Sequence, residues 1–488
     1  MKDRITPREA LERKAAPLVF FDHIPQYNRN RIISSEQENG QKLRKKVHKD
    51  YEKKSGWETE FTAYLSGFLP DVVSLGGRIY ADANHVEFAR AECSSPLEAV
   101  VHEDAFDRFG FNLLTGTLRL VRKLYKNSID FGNPKRNSPP VSFGFHENYS
   151  TKIMFGQSNP SGLLALVPHL ISRTIFGGAG SLHKANKFLR AQRSLFVNKL
   201  WSFNAIKDER GIICTRVQPH TEISGLQRLQ LTCGDALISP VNRFLLYGTT
   251  ATVVDLIEDR IIPLCDYDTS YAVEDFHGIT YDPENYILRG FPSKNWTALD
   301  VQRRILDSAI KSYSHRDPQT NAILFLWEDT LNKLEYDPFQ LVGRLDAITK
   351  KALYTCLDER FPDVPEDSFW QMRGIDMNYH DINPNYSIFQ VMRSEGIMED
   401  LYSNKLFSWY MQNPPPKTRA HFRGNLAKIL IRAKEDLAVL DGDEWDKCVP
   451  LSDIYNIYPN LWDLDLSIDD PFNSYNDRLT EIKGILSH

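Results

Sequence analysis

The stretch from Gly76 to Cys93, GGRIYADANHVEFARAEC, constrains this chain more than any other. It alternates like a β-strand, in which residues two apart share a face. Yet Arg78, Asp82, His85, Glu87 and Glu92 interrupt it. A face bearing Arg78, Tyr80 and Asp82 is poor core material, because each buried charge needs a partner. Asp82 and Glu87 are an odd number of residues apart, so they converge only if the chain bends near Ala83–Asn84. Two readings fit. One is an exposed strand with surface ion pairs. The other is the lining of a nucleotide–metal site, where carboxylate oxygens bind a hard cation and arginine binds phosphate.

The remaining strand and helix signals set the fold class. PLVFFDHI reads as a first buried strand, with a helix from about Ser35 to Lys54 behind a Ser-Ser-Glu cap. GWETEFTAYL, GGRIYADANHVEF, LRLVRKLYKNSID and SFGFHENYSTKIMF read as strands. PLEAVVHEDAFDRFGFNLL and SGLLALVPHLISRTIF are helical, GIICTRV and LQRLQLTCGDA are short strands, and apolar i, i+3, i+4 spacing predicts helices from Thr297 to about Glu359. Strands first, with helices interspersed rather than strictly alternating, predict α+β with a mainly antiparallel sheet. A doubly wound fold would want a Gly-rich loop after its first strand, and there is none. A Pro-rich break, NPPPKTRAHFRG, begins at Asn413, and the expected organisation is a large domain over 1–405 and a small C-terminal domain over 406–488.

Composition narrows the function. A net charge of -5 over 488 residues argues against a generic nucleic-acid binder. The one basic run, QKLRKKVHKDYEKK, reads as a solvated helix face. The cysteines, Cys93, Cys214, Cys233, Cys265, Cys356 and Cys448, lie far apart with no CxxC, which predicts reduced thiols. The N-terminus is charged, without the apolar run of a signal peptide, and no apolar stretch reaches the ~18 residues of a membrane span. The expected location is the cytoplasm, with no membrane or nucleic-acid partner.

Familiar motifs are missing: no GxxxxGK(S/T) loop, no GxSxG elbow, no HExxH. GGAG at Gly177–Gly180 reads as a tight turn rather than a phosphate cradle. In HENY, His146 and Asn148 share one face. Arg216 and His220 flank a proline turn, TRVQPH, and either read a carboxylate or are plain loop residues.

Taken together the motifs resemble the Pup–protein ligase and depupylase family, whose fold is related to glutamine synthetase. GGRIYADANHVEFARAEC resembles the family's NGARLY-x-D…HPEY-x-x-x-EC, LYKNSID its LYKNN-x-D, SFGFHENY its SYG-x-HENY, and TRVQPH…LQRLQLTCGDA its TRDEPHAD…YRRLHV-x-x-GD. HLISRTIFGGAG, AQR, YGTTATVVDLIED, RLDAITKKAL, DMNYHDI, PPPKTRAHFRG and DDPF continue the series in family order. The resemblance implies a glutamine-synthetase-like concave cradle packed by helices. It further implies an ATP- and Mg2+-dependent ligase that phosphorylates the C-terminal glutamate of a small Pup-like modifier and passes the acyl group to a lysine of a target protein. By match, Asp82 is the base that takes the lysine proton. Glu87 and Tyr80 fall at magnesium-binding positions, Arg78 at an ATP-binding one, and Trp445 near a tryptophan that packs on the nucleotide. His146, Asn148, Arg216 and His220 match positions that hold phosphate, metal or the glutamate carboxylate.

The departures matter. The family opens with GIETEFG, whose first glutamate binds magnesium. By motif the ligand here is Glu58, in GWETEF; by order of elements it is Asp22, in PLVFFDHI. The family's Asp-Glu in TRDEPH is Val217-Gln218, its RLH histidine is Gln230, and its threonine before AEC is Arg90. The spacing of Asp82 and Glu87 resembles the depupylases. Leu65–Gly77, however, is too short for the long loop those enzymes carry, and FARAEC and YHDI look more like the ligases. The expected activity is therefore ligation. The alternatives are a depupylase or deamidase using water, a carboxylate–amine ligase for a small peptide, and a degenerate nucleotide-binding module.

Overall fold

The computed structural model describes residues 4–43, 71–82, 85–127, 129–130, 141–183, 187–203, 209–216, 225–360, 365–434, 468 and 470–486. Its centre is a nine-stranded sheet. The strands are β1 (Ile33–Leu43), β2 (Asp71–Val72), β3 (Arg78–Asp82), β4 (His85–Ala89) and β5 (Val121–Tyr125). Two-residue strands β6 (Ile129–Asp130) and β7 (Val141–Ser142) pair apart, and β8 (Phe145–Thr151) returns to the main sheet. β9 (Ser181–His183) and β10 (Lys187–Leu189) make a separate ribbon; β11 (Lys199–Ser202), β12 (Gly211–Cys214) and β13 (Gln227–Leu231) complete the main sheet. Its order is β11-β12-β13-β8-β1-β4-β3-β2, with β5 on the far half of β1. Every pairing is antiparallel except β11 with β12.

One face of the sheet is covered by helices and apolar except along β1 and at Glu147. Ile33, Phe145, Tyr149, Leu229 and Leu231 join a core with helices Pro96–Asn112 and Pro240–Glu258. Ile79, Val86 and Phe88 join a second core with Phe106, Leu114 and Leu124. The helix Pro96–Asn112 starts where its sequence says it should. Ser95 accepts from Glu98 N, and Pro96 fills the first turn, where no backbone donor is needed.

Two sequence expectations are overturned at the N-terminal end. Ser35 to Leu43 is not helical: it is the central strand β1, paired with β8, β4 and β5. Its covered face carries Ser35, Gln37 and Asn39, all buried. Asn39 donates to the Gln37 and Val86 carbonyls at 3.2 Å, and Ser35 donates to Glu103 at 3.1 Å. A strand that is polar on both faces shows no alternation, so tertiary pairing overrides a helix-like composition. PLVFFDHI, in turn, is not a sheet strand. It makes one bridge, Phe21 to Tyr402, and Phe21 packs edge-on against Phe244 at 5.7 Å. GWETEFTAYL, and the basic run beyond Leu43, lie outside the described residues.

The GGAG segment is not a tight turn: it ends the short helix Thr174–Gly177, runs extended at Gly178 and leads into β9. The Ala179 N–H is taken by Asp235 at 2.8 Å and Gly180 has φ +67°. A Cβ on Gly178 would stand 2.1 Å from the Arg190 carbonyl. Cys93, Cys214, Cys233, Cys265 and Cys356 are free thiols. No helix among the described residues is long and apolar enough to cross a membrane.

Candidate active site

The open face of the sheet gathers the charges that the strands could not place in the core. In antiparallel pairing, residues directly opposite share a face. Glu38 lies opposite Glu87, and Glu87 opposite Tyr80. Asp82 lies opposite His85, so the chain reversal between β3 and β4 resolves the odd spacing and puts Asp82 and Glu87 on one side. Glu36 lies opposite His146, and Gln230 opposite Asn148. Five strands thus turn one continuous polar surface away from the helices.

The result is a surplus of negative charge. Ligand atoms of Glu36, Glu87 and His146 lie within 4.8 Å of one another, and so do those of Glu38, Asp82 and Glu87. Glu87, common to both groups, is buried. Burial pushes its carboxyl well above the usual range, and the Glu36, Glu38 and Asp82 charges push it further, against a hydrogen bond from Tyr80. Burial and the Glu87 and Glu36 charges also raise the Tyr80 hydroxyl, against the Arg78 charge. Asp82 is the exposed member, at the rim.

Cationic and polar groups flank the carboxylates. Arg78 sits over the Tyr80 ring at 5.0 Å. His146 Nδ1 hydrogen-bonds Glu36 at 3.2 Å, Asn148 donates to Glu36 at 3.2 Å, and Arg228 approaches it at 3.6 Å. Burial lowers the Arg228 guanidinium; Glu36 opposes the shift and Arg216, close by, adds to it. Gly144 N–H donates to Glu38 at 2.7 Å. Beside Glu36 a small hollow is lined by Ile32, Ser34 and, on β8, Ser150, with Arg419 and Pro471 opposite. The Asn148 Oδ1 atom on the same strand is buried without a hydrogen-bond partner. Clustered carboxylates, a raised Glu87 and an orphaned amide oxygen fit a hard divalent cation with its ligands.

The sequence reading placed Asp82, Glu87, Tyr80, Arg78, His146, Asn148 and Arg216 at the site, and all seven lie on this face or at its edge. Trp445, His220 and Glu58, with Val217 and Gln218, lie outside the described residues. Asp22 is not in the cluster; it is exposed and hydrogen-bonds His23 at 2.7 Å. The N-terminal carboxylates that the structure brings into the cluster are Glu36 and Glu38, which the sequence reading missed. A signal was present: Glu36-Gln37-Glu38-Asn39-Gly40 repeats the E-x-E-x-G spacing of GIETEFG. Gln230, the substitute for the family histidine, keeps a contact, with Nε2 3.5 Å from Glu36. Arg90 points the other way and pairs with Asp107 behind the sheet, so that departure leaves the site untouched.

A mainly antiparallel sheet, helices on one face and convergent carboxylates on the other, make an α+β fold consistent with the glutamine-synthetase-like architecture that the family resemblance implies. The structure of the complex between the prokaryotic ubiquitin-like protein Pup and its ligase PafA superposes with a TM-score of 0.74 at 24% identity, covering 94% of this chain and 93% of that one. The Pup-ligase protein family matches residues 8–448, and the chain belongs to that family. Curated relatives include the Pup deamidase/depupylase of Mycobacterium tuberculosis H37Rv, 29% identical over 78% of this chain and 74% of that protein. Pup–protein ligase 2 of Rhodococcus erythropolis is 28% identical over 75% of this chain and 82% of its own length.

Proposed function

We propose that this chain is an ATP- and magnesium-dependent ligase that joins the C-terminal glutamate of a small Pup-like protein to lysines of target proteins. The observation that carries the reading is the Glu87-centred cluster, whose excess negative charge on an open face suits a metal-bound polyphosphate. Membership of the family supports it, as does the structural likeness to PafA in its complex with ADP, with a TM-score of 0.68.

The residues divide the work by position. Glu36, Glu38 and Glu87 would hold magnesium, with Tyr80 orienting Glu87; Glu36 takes the part expected of Glu58 or Asp22. Magnesium supplies charge neutralisation for the transferred phosphoryl group. Arg78 and Arg216 meet phosphate oxygens, and His146 and Asn148 fix Glu36 and bind phosphate or the modifier's carboxylate. His220 and Trp445 keep the substrate and nucleotide roles that the family match gives them. In the first step a carboxylate oxygen of the modifier bonds to the γ-phosphorus and ADP leaves. In the second the lysine nitrogen bonds to the acyl carbon and inorganic phosphate leaves. Asp82, exposed at the rim, takes the proton the amine must lose before it attacks. We assign 1–405 to this catalytic unit and 406–488 to a small C-terminal domain.

The depupylase reading is favoured by the 29% identity to the Pup deamidase/depupylase and by the Asp82–Glu87 spacing; there water replaces the amine. The test is to incubate the chain with ATP, magnesium, a Pup-like protein ending in glutamate and a lysine-bearing target, and separately with preformed conjugate. New conjugate supports ligation. Release of modifier from conjugate, without new conjugate, overturns it in favour of the depupylase.

A further inference from the structure

Glu38 owes its place in the carboxylate cluster to a backbone contact. The Gly144 N–H donates to its carboxylate at 2.7 Å, and the Glu38 N–H donates back to the Gly144 carbonyl at 3.0 Å. The approach is as close as a glycine allows: a Cβ on Gly144 would stand 2.9 Å from Glu38 Oε1.

The group that sets the Gly144 N–H lies on the far side of the same peptide. Arg193, the last residue of the AQR segment, is buried, and one of its terminal nitrogens donates to the Phe143 carbonyl. Arg210 donates to the neighbouring Ser142 carbonyl at 3.0 Å. The Phe143 carbonyl and the Gly144 N–H belong to one rigid, planar peptide group, in which they point in opposite directions. An arginine that fixes the oxygen therefore fixes where the N–H aims. A cation on the oxygen also polarises the group and strengthens the N–H as a donor.

Arg193 is itself held from behind. Asp235, buried, accepts from the backbone N–H groups of Arg193 at 2.8 Å, Gln192 at 2.7 Å and Ala179 at 2.8 Å. Burial and the Arg210 charge lower the Arg193 guanidinium to about 10, and the Glu38 and Asp235 charges oppose the fall. A continuous chain of contacts thus runs from Asp235 through Arg193 and the Phe143–Gly144 peptide to Glu38, whose ligand atom lies within 4.8 Å of those of Asp82 and Glu87.

We propose that Arg193 is a positioning residue for the metal site, aiming Glu38 at Glu87 and Asp82 through the Phe143–Gly144 peptide, so that affinity for a divalent cation depends on it. This rests on the metal reading above and extends it to a residue that is no ligand.

The test reads the affinity of the full chain for Mn2+ alone, without nucleotide, from the electron paramagnetic resonance of the free ion. The sign of the effect separates positioning from plain charge. Removing a cation from beside a metal site would, by Coulomb repulsion alone, tighten binding. Positioning predicts the reverse: Arg193→Met should weaken Mn2+ binding by about tenfold or more, and Arg193→Lys, which keeps a charge and a donor, should recover part of the loss. The melting temperature in chelator shows that each variant is folded. Unchanged or tighter binding in folded Arg193→Met overturns the inference. Should that variant fail to fold, Gly144→Ala decides in its place. It keeps every charge and crowds the same carboxylate, so a loss of several-fold is expected, and parental affinity overturns the inference. A parent chain that binds no Mn2+ removes the metal reading and this inference together.

Discussion

Two charged clusters lie on opposite faces of the same sheet, and they are built on different rules. Behind the sheet the carboxylates of the Glu103–Asp107 cluster each have a cation. Glu103 pairs with Lys126 and takes the Tyr247 hydroxyl at 2.6 Å; Asp107 accepts from Lys126 at 2.8 Å and pairs with Arg90. Burial would raise the Glu103 carboxyl, but Lys126, Arg90 and Arg243 drive it far down. On the open face Glu36, Glu38, Glu87 and Asp82 crowd one another, and Glu87 is driven up instead. A matched cluster is finished by folding. An unmatched one is finished by something that binds, which is why only the open face reads as a site.

Neutralising one carboxylate at a time should split the two faces. The largest effect is expected from Asp82→Asn, which should cut ligation by about 10²–10⁴-fold with the melting temperature unchanged, because the side chain is exposed. Full activity in that variant would remove Asp82 as the base. Glu103→Gln should act the other way. It removes one of the two carboxylates that hold buried Lys126 and a charge partner of buried Arg243, at a cost of about 3–5 kcal/mol, read as a lowered denaturant midpoint. Glu36→Gln makes the contrast sharpest: turnover should fall by about 10–100-fold while stability holds or rises, since a like charge is removed. A Glu36→Gln protein that unfolds would erase the distinction drawn here.

Acid sharpens the comparison further. Burial would raise the Glu92 carboxyl, but Arg423 and Arg419 hold it down to about 2 in the folded protein against an ordinary value of 4.5. A depressed carboxyl contributes stability that is complete above its ordinary value and is lost as pH falls from there toward the folded one. Stability should therefore decline between about pH 4.5 and pH 2, and the decline should be shallower in Glu92→Gln; identical acid limbs would contradict that pairing. The smallest effect belongs to Gln230→His. Gln230 already touches Glu36 at 3.5 Å, so the substitution should move the ligation rate by no more than a few-fold.

What could be read in advance follows from local physics. The β3–β4 pair, helix Pro96–Asn112 and strand β8 were legible, because each carries its own period or cap. Arg78, Asp82 and Glu87 stood out because charges on a strand break the apolar pattern, whereas Arg216 and the roles given to all seven residues came from the family resemblance. β1 was not. Its covered face hides Ser35, Gln37 and Asn39 through hydrogen bonds to the Glu103 side chain and to the Gln37 and Val86 carbonyls, distant or backbone partners that a local window does not reveal.

By itself, then, the sequence determined which residue types must escape the core and the spacing that lets Asp82, Glu87 and Tyr80 share a side. Only the tertiary structure decided that Glu36 and Glu38 complete the cluster, that Asp22 stays out of it, and that Glu92 spends its charge on Arg419 and Arg423. Periodicity is a property of neighbours along the chain. Which carboxylates crowd one another, and which are matched one to one by cations, depends on strand order and register, and these are fixed by pairings between segments far apart in sequence.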